Sequence, residues 1–314
     1  MNLIEPKAEY IPQGNTIDDL YKKIEFCGRT CYKSEDKITE DSAKGFVERM
    51  INSGHGAMLE HGTVYLKAKS WTGFPFKGDY RKNKYSKVRE EFVETEEVEE
   101  GYREHCVEYY VTTNYRVLIE NNWLDDLKYF CEPTKFHEKR YTVKLTTDIG
   151  VTREGNRHRV NSIAEESTRY CNYAKEKFGG EVKVVRHAWF DDKDVEYLNE
   201  LDPYEDFIKY CEDVGTEGEE CWVAIDYWAF SILCSNYCYN KLIENGWVAQ
   251  QARTVLTLST KSDIVYTAFA SDWKHFFDLR LYGTTGKPHP DMLNIAEKMR
   301  DEFIEKEIFY DILN

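Results

Sequence analysis

The sequence lacks any apolar run long enough to cross a membrane. Its longest hydrophobic stretches, such as YWAFSILC at 227–234, fall far short of the roughly 20 residues that a transmembrane helix requires. The first residues, MNLIEPKAEYIPQGN, contain neither a basic segment nor an apolar one, so we expect no signal peptide. Together these absences predict a cytoplasmic protein that does not enter a membrane.

The sequence also lacks the common short motifs for nucleotide binding, metal binding and nucleophilic catalysis. It contains no P-loop, no GxGxxG motif after a strand, no GxSxG elbow and no HExxH helix. Its net charge of -15 argues against a nucleic acid as partner, because binding a polymer requires the neutralisation of many phosphates. A small anion in a local basic pocket remains compatible with that charge.

The cysteines form no tight framework. There are nine of them, an odd number, which indicates reduced thiols in this chain without a visible export signal. Cys27 and Cys31, like Cys234 and Cys238, are spaced i,i+4 and would share one helical face, where we expect core packing. A zinc site needs tighter pairs and further ligands, so we predict no metal site.

Periodic segments predict a single α/β (α+β) domain over 1–314. Residues 72–115 differ, because a basic stretch is followed by the acidic REEFVETEEVEEGYREH, and we interpret them as a solvated insertion. The acidic run is typical of a charged surface that keeps a protein soluble, although a partner-binding role remains open. Helical patterns cover 17–32, 42–52, the later part of 114–130, 219–246, 248–256 and 292–313, and strand patterns cover 63–69, 140–148 and 182–190. Residues 263–283 have the pattern of a strand that leads into a helix.

The stretch RHRVNSIAEES at 157–167 concentrates positive charge in an acidic chain. Arg153, Arg157, Arg159 and Arg169 fall within 17 residues. Such clustering costs free energy through like-charge repulsion unless anions lie among the arginines. One interpretation is a pocket for nucleotide or cofactor phosphates, and the other is a surface salt-bridge network. In the first, nearby glutamates (Glu154, Glu165, Glu166) would orient the arginines.

The serine that ends this stretch has two interpretations. Ser167 is a nucleophile only if a base such as His158 activates its hydroxyl. A hydroxyl that hydrogen-bonds a phosphate is the simpler interpretation. Within the same stretch, Ser162-x-x-Glu165 matches a capping box at the start of a helix.

A second polar group lies in HGAMLEHG at 55–62, which we predict to be a loop. Two histidines and a glutamate in this segment could suggest a metal. However, the spacings from His55 to Glu60 and His61 do not place the three on one helical face. From the spacing alone we interpret them as polar loop residues.

Together these motifs resemble the flavin-dependent thymidylate synthases, the ThyX family. The family signature is RHR, seven residues and a serine, here Arg157-His158-Arg159 followed by Ser167. Three more blocks match in the same order along the chain. They are GHGAMLEH, ENGWVAQQARTVL containing Ala252-Arg253, and WKHFFDLR containing Leu279-Arg280.

The resemblance implies an activity and an assembly. The activity is the reductive methylation of dUMP to dTMP, with FAD as cofactor and methylenetetrahydrofolate and NADPH as co-substrates. The assembly is a homotetramer with active sites at subunit interfaces. The implied fold is the family's own, a mostly antiparallel sheet flanked by helices, with 72–135 as a family-variable insertion.

The resemblance also implies roles for individual residues. Arg280 would face the uracil ring and stabilise negative charge on it, and His55 would lie near the substrate entrance. These two are the predicted catalytic residues. The predicted dUMP-binding residues are Glu154, where the family usually has glutamine, Arg157, Glu165, Ser167, Thr168, Arg169, Arg253 and Arg280. The predicted FAD-binding residues are Ala57, Glu60, Arg157, His158, Arg159, Glu165 and His275.

The sequence departs from the family at two flavin-contacting positions. Phe269 and Ser271 stand where the family often has asparagine and arginine. This departure keeps two alternatives open. One is a nucleotide-binding homologue without catalysis, and the other is a flavin- or folate-dependent methyltransferase that acts on another pyrimidine nucleotide.

Overall fold

A computed structural model describes residues 1, 3–99 and 102–313. The strands are β1 (Leu3–Ile4), β2 (Lys7–Tyr10), β3 (Thr63–Ser70), β4 (Lys87–Glu99), β5 (Tyr102–Asn114), β6 (Arg140–Asp148), β7 (Ser162–Glu165), β8 (Val184–Val185) and β9 (Lys261–Phe269). The helices are α1 (Ile17–Tyr32), α2 (Ser42–Asn52), α3 (Gly56–Leu59), α4 (Tyr115–Glu120), α5 (Ile149–Gly155), α6 (Asp192–Glu200), α7 (Glu205–Asp213), α8 (Ala224–Glu244), α9 (Ala249–Ala252), α10 (Ala270–Arg280), α11 (Pro290–Glu305) and α12 (Phe309–Leu313). No helix in the described ranges is both long enough and apolar enough to span a membrane.

An antiparallel sheet in the order β2-β6-β9-β7 organises the molecule. Alternation along its strands sends Val143 and Tyr266 to one face, where they pack against Trp273 of α10 and Phe303 of α11. The opposite face packs against α1, whose Cys27 contacts Ala164 and Val265 in a smaller cluster. The mostly antiparallel α/β architecture predicted above is confirmed, with helices on both faces of this sheet.

A second antiparallel sheet, ordered β3-β5-β4, corrects the interpretation of residues 72–115. These residues are not simply a solvated excursion, because Phe76, Tyr80 and Tyr109 are buried in a core that α1 and α2 share. The acidic run forms the outer part of the β4–β5 hairpin, where Phe92 is 77% exposed. Apolar residues at the base of a hairpin are easily missed when charged residues dominate its tip.

Several local predictions are confirmed and others are wrong. The helices at 17–32 and 42–52 and the strand at 140–148 occur with these bounds, and the strand that leads into a helix within 263–283 occurs as β9 followed by α10. Ser162-x-x-Glu165 forms strand β7 instead of a helix start, because its backbone pairs with β9. The strand predicted at 182–190 shrinks to β8, the loop after His55 contains the single helical turn α3, and the last helix is interrupted between α11 and α12.

The nine cysteines are all free. Cys27 is fully buried, as the packing prediction requires, and Cys31 is partly buried on the same helix. Burial raises the pKa of the Cys31 thiol to about 11, so it stays protonated near neutral pH. Cys238 on α8 is exposed, so the core prediction fails for that position.

Candidate functional site

Helix α5 positions the first arginines of the charged stretch. It begins at Asp148, whose carboxylate accepts a hydrogen bond from the Val151 N–H at 2.9 Å. It ends at Gly155, where a Cβ atom would lie 2.3 Å from the Tyr266 hydroxyl. Only glycine fits this approach, and the chain then turns tightly so that the His158 N–H bonds the Gly155 carbonyl at 3.1 Å.

Helix α10 brings Arg280 to the end of α5. Trp273, Phe276 and Phe277 anchor α10 in the core, and Arg280 is its last residue. The Arg280 Nη1 donates to Glu154 Oε2 at 2.9 Å, and its Nη2 donates to the Glu154 carbonyl at 3.3 Å. This double contact fixes the plane of a half-buried guanidinium.

His158 completes this group, which we call the Arg280 cluster (Glu154, His158, Arg280). Its Nε2 accepts a hydrogen bond from Arg280 Nε at 3.3 Å, so the proton of the neutral ring lies on Nδ1. Burial, together with the charges of Arg280 and His275, lowers the pKa of His158 to about 4. The imidazole is therefore neutral at physiological pH, and it contacts the rings of His275 and Phe276 at 5.9 and 5.0 Å between centroids.

A cavity of about 510 Å³ opens beside the Arg280 cluster. Residues predicted from the sequence line one side of it, including Arg157. The opposite side is the segment between α10 and α11, which contributes Lys287 and His289. Sequence reasoning missed these two, because nothing in a Gly- and Pro-containing loop indicates that it folds back onto α5.

The ion pairs that the arginines form or lack decide between the two interpretations of the charged stretch. Arg153, Arg157 and Arg280 line the cavity. In the described part of the chain, Arg280 pairs with Glu154, whereas five exposed arginines form no ion pair with a carboxylate. These five are Arg153, Arg157, Arg159, Arg169 and Arg253. A surface salt-bridge network is therefore wrong as an account of this stretch, and unpaired guanidinium groups are available to an anion.

The other two glutamates do not orient the arginines. Glu166 is buried and pairs with Lys261 at 2.8 Å and Lys33 at 3.5 Å. Glu165 accepts hydrogen bonds from Ser262 at 3.2 Å and Asn156 at 3.4 Å. Of the three glutamates, Glu154 alone holds an arginine, so that part of the sequence interpretation is wrong.

A second group, the Thr168 strip (Ser167, Thr168, Arg169, Arg253), follows β7. The Ser167 N–H bonds the carbonyl of Cys31 on α1 at 2.9 Å, which fixes the start of the strip. Arg253 Nη1 donates to the Thr168 hydroxyl at 3.1 Å. Among the described residues no hydrogen bond joins Ser167 to His158, so the structure gives the nucleophile interpretation no activating base.

His55 lies at the outer edge of the Thr168 strip. Its Nδ1 is 3.4 Å from the Tyr32 hydroxyl. The Tyr32 ring packs edge-on against Tyr170, whose ring lies 5.6 Å from the Arg169 guanidinium. The exposed ring of Tyr170 and the partly buried ring of Tyr32, next to a cation, form a surface suited to a flat, anionic ligand.

Helix α3 carries the predicted flavin contacts Ala57 and Glu60. Glu60 pairs with Arg116 at 2.5 Å, and its carbonyl accepts from Arg140 at 3.1 Å. Arg140 is buried on β6 and also donates to the Ser162 hydroxyl at 2.9 Å, which ties α3 to β7. Burial lowers the pKa of Arg140 to about 10, so it remains charged.

Three buried polar atoms near α3 have no protein partner in the described structure. They are Arg140 Nε, His61 Nε2 and Asn161 Oδ1. His61 bonds the Thr267 hydroxyl at 2.8 Å through Nδ1, and burial lowers its pKa to about 3. Such orphaned groups usually meet a ligand or water, and sequence reasoning did not include Arg140 or His61 among the site residues.

The two departures from the family pattern have structural explanations. Phe269 is buried, and the Arg140 guanidinium and the Lys87 ammonium lie 5.4 and 5.5 Å from its ring centre. Ser271 donates its hydroxyl hydrogen bond to Glu138. Neither side chain offers a charged group to a cofactor, so any flavin contact at these positions differs from the usual pattern.

The predicted residues thus fall into separate groups within one chain. The Arg280 cluster and its cavity form one group, and α3 with its neighbours forms another. The Thr168 strip with His55 is the third. Within the described residues no hydrogen bond or ion pair directly joins the Arg280 cluster to the Thr168 strip.

Comparisons with known proteins agree with the motifs. A family model described as "Thymidylate synthase complementing protein" matches residues 120–307, more than half of the chain. The probable flavin-dependent thymidylate synthase of Paramecium bursaria Chlorella virus 1 is 26% identical over 185 residues, which are 58% of this chain and 77% of that protein. The flavin-dependent thymidylate synthase of Corynebacterium aurimucosum is 29% identical over 109 residues, which are 32% of this chain and 44% of that protein.

Solved structures were compared as well. The UMP/dUMP methylase PolB from Streptomyces cacaoi bound with 5-Br dUMP is 16% identical, with a TM-score of 0.42, and the alignment covers 100% of this chain and 96% of that chain. The family match and the ordered motifs identify the protein at the level of its family: the chain belongs to the thymidylate synthase complementing proteins, the ThyX family of flavin-dependent thymidylate synthases.

Proposed function

We propose that the protein catalyses the reductive methylation of dUMP to dTMP as a flavin-dependent thymidylate synthase. The observation that carries the proposal is the Arg280 cluster beside a cavity of about 510 Å³ lined by unpaired arginines. A cation held rigidly at the end of α10 can stabilise negative charge on a pyrimidine ring. Exposed guanidinium groups nearby can bind the phosphate of the same nucleotide.

Arg280 has the central role in this mechanism. Glu154 and His158 hold its guanidinium through three hydrogen bonds, at 2.9, 3.3 and 3.3 Å, so little reorganisation is needed when charge develops on the uracil. Because His158 is neutral, it accepts from Arg280 without adding a competing positive charge. Lysine could not make these contacts, since it presents a single ammonium group.

The phosphate of dUMP has suitable partners in the Thr168 strip. Arg169 and Arg253 are exposed and form no ion pair with a described carboxylate. The hydroxyls of Ser167 and Thr168 add donors beside them. We therefore assign Ser167 to substrate binding, in line with the simpler of its two interpretations. Arg157 lines the cavity beside the Arg280 cluster and would contact dUMP and flavin.

The residues present fit a flavin next to this site. Buried donors and an acceptor without protein partners (Arg140 Nε, His61 Nε2, Asn161 Oδ1) match a ring system that carries both carbonyl and N–H groups. Ala57, Glu60, Arg159 and His275 would line its edge, with His158 and Glu165 behind them. When bound, FAD supplies the hydride that reduces the transferred carbon. NADPH as reductant and methylenetetrahydrofolate as one-carbon donor complete the proposed reaction.

We propose a homotetramer as the active form. The separation of the Arg280 cluster from the Thr168 strip supports this, because a site built from both groups would be completed by a second copy of the chain. The high negative charge of the chain supports a small-molecule substrate over a nucleic acid. Light scattering of the purified protein with and without dUMP tests the assembly, and a monomer with full activity would contradict it.

The decisive experiment measures dTMP formation from dUMP, methylenetetrahydrofolate and NADPH, with and without added FAD. We expect turnover that depends on FAD. A protein that binds dUMP yet neither binds FAD nor turns over would be the nucleotide-binding homologue suggested by Phe269 and Ser271. Product analysis with UMP and dCMP identifies an enzyme that acts on another pyrimidine nucleotide.

A further inference from the structure

Three buried side chains with metal-binding atoms meet below the candidate site. Asp148 is the last residue of β6, His187 follows β8, and Asp291 lies in the first turn of α11. One possible ligand atom from each lies within 4.8 Å of the other two. The three residues are only 4%, 6% and 6% exposed, in that order, so this is not a solvated acidic surface.

In each of these side chains, a residue outside the cluster holds one polar atom by a hydrogen bond. Asp291 Oδ1 accepts from the Ala188 N–H at 2.7 Å, and Asp148 Oδ1 caps α5. His187 Nε2 bonds the Ser259 hydroxyl at 2.8 Å. Hydrogen bonds of this kind orient ligands in metal sites and fix the histidine tautomer. The atoms left for a shared ligand are Asp291 Oδ2, Asp148 Oδ2 and His187 Nδ1.

The charges in this cluster also favour a cation. Two buried carboxylates face the buried imidazole of His187, and the more exposed His289 has its Nδ1 4.0 Å from Asp291 Oδ2. Both histidines contact Asp291, and neither forms an ion pair with Asp148 in the described structure. Asp148 forms no ion pair in the described structure, and its Oδ2 has one polar neighbour, the Thr147 hydroxyl at 3.5 Å. Burying an unbalanced carboxylate is costly, whereas a divalent ion with a neutral imidazole balances both charges.

We propose that Asp148, His187 and Asp291 bind one divalent transition-metal ion. The ligand atoms are Asp148 Oδ2, His187 Nδ1 and Asp291 Oδ2. His187 Nδ1 and Asp291 Oδ2 are 2.8 Å apart as a hydrogen bond, so the ion takes the place of the Nδ1 proton. That proton leaves to solvent from the imidazolium form, and the proton that stays on Nε2 is donated to the Ser259 hydroxyl, so the bound imidazole is neutral. Mixed nitrogen and carboxylate ligands suit Zn²⁺ or Mn²⁺ better than Ca²⁺.

A surface groove would let the ion reach the cluster, and the elements that the cluster joins would give the ion a structural role. A groove of about 460 Å³, lined by Glu5, His187 and Glu297 among others, reaches the cluster from the surface. The cluster joins β6, β8 and α11 at the point where α5 begins. Because α5 carries Arg153 and Glu154, and the segment before α11 lines the cavity, a bound ion would hold two walls of the candidate active site together.

The test uses the full-length protein after chelator treatment and dialysis, equilibrated with Zn²⁺ or with Mn²⁺. We expect about one bound ion per chain by elemental analysis and an increase in the melting temperature with metal. Asp148→Asn and Asp291→Asn keep size and hydrogen-bonding shape but remove a ligand charge. We expect each to weaken metal binding at least about tenfold and to abolish the metal-dependent increase in the melting temperature.

Asp126→Asn is the matched control. Asp126 is also a buried aspartate, but it caps a loop in the second sheet region through Lys77, Gly78 and Tyr80. This variant should bind the ion as the unaltered protein does. Ser259→Ala gives an independent measurement, since loss of the tautomer-fixing hydroxyl should weaken binding several-fold even if an asparagine variant fails to fold.

Three outcomes would overturn the proposal. The unaltered protein could bind no ion and show the same melting temperature with and without metal. Both asparagine variants could retain full binding, which would place the ion elsewhere. Asp148→Asn could be more stable than the unaltered protein in the absence of any metal effect, which would identify a shared proton in the cluster. None of these measurements uses dUMP or flavin, so they are independent of the proposed activity.

Discussion

The Arg280 cluster and the Thr168 strip supply charge to the same proposed substrate in different ways. In the cluster, hydrogen bonds from Glu154 and His158 hold one half-buried guanidinium. In the strip, Arg169 and Arg253 are exposed, and the Thr168 hydroxyl is the one hydrogen-bond partner of the Arg253 guanidinium in the described structure. The fold therefore preorganises the group assigned to chemistry and leaves the group assigned to binding free to close on its ligand.

The largest expected effect on activity comes from a substitution in the Arg280 cluster. Arg280→Lys should lower the rate of dTMP formation on the order of 100-fold or more, because an ammonium cannot keep three directional hydrogen bonds. Bound flavin, measured by its absorbance, should be unchanged. Arg29→Lys is the control, since Arg29 is also a half-buried arginine that pairs with a glutamate, Glu25. Near-normal turnover in Arg280→Lys would refute the assigned role.

The next prediction concerns the exposed arginines of the Thr168 strip. Arg253→Gln should raise KM for dUMP about tenfold, because the loss of one charge-assisted phosphate contact costs about 1.4 kcal/mol. The rate at saturating dUMP should change much less than in Arg280→Lys. Arg300→Gln removes a partly exposed arginine that pairs with Asp301 on α11, and its kinetics should match the unaltered enzyme. A fall in kcat with unchanged KM would reverse the roles given to the two groups.

The Arg280 cluster and the Thr168 strip should also differ in how they affect the pH dependence of stability. The pKa of His158 is lowered to about 4 in the folded protein, so the unfolded chain binds the proton more readily. The stability that His158 contributes is therefore complete above pH ~6.5 and declines as the pH falls toward 4. His158→Gln should flatten the dependence of unfolding free energy on pH in this window, measured by urea denaturation. Arg253→Gln should leave the slope unchanged, and an equal slope in His158→Gln would contradict the neutral imidazole.

The smallest expected effect is at His55, on the edge of the strip. It is exposed, and the one hydrogen bond of its side chain in the described structure is the 3.4 Å contact with Tyr32. His55→Ala should lower turnover only several-fold, through weaker positioning of the incoming substrate. Exchange of an exposed histidine on the far hairpin, His105→Ala, provides the control. A loss as large as that of Arg280→Lys would show a direct chemical role for His55.

The fold was predictable where the apolar residues of a segment repeat with a single clear period, that of a strand or that of a helix. β6 and the β9–α10 unit follow such patterns, with β-branched and aromatic residues in the strands and a helical repeat after them. Strand β7 was not, because Ser162-x-x-Glu165 matches a helix cap locally, and only pairing with β9 decides the outcome. The buried base of the β4–β5 hairpin was missed because its glutamates obscured the alternation.

The site was predictable only in part. The arginines of the charged stretch left an anion pocket and a salt-bridge network both open, and the pairing of Arg280 with Glu154 joins residues 126 positions apart. The same holds for Arg140, Lys287 and the Asp148, His187 and Asp291 cluster, whose members come from separate elements. A spacing rule detects ligands within one helix or loop, and it cannot detect groups that tertiary packing brings together.

The unpaired arginines have a consequence for the rate of substrate capture. At long range a chain of net charge -15 repels a nucleotide monophosphate, and the acidic β4–β5 hairpin adds to this field. Within about one Debye length, ~8 Å at physiological ionic strength, the guanidinium groups dominate instead. Moderate salt screens the distant repulsion first and the pocket attraction later. The association rate of dUMP should therefore pass through a maximum as salt is added, instead of falling steadily as it does for proteins with an overall positive field.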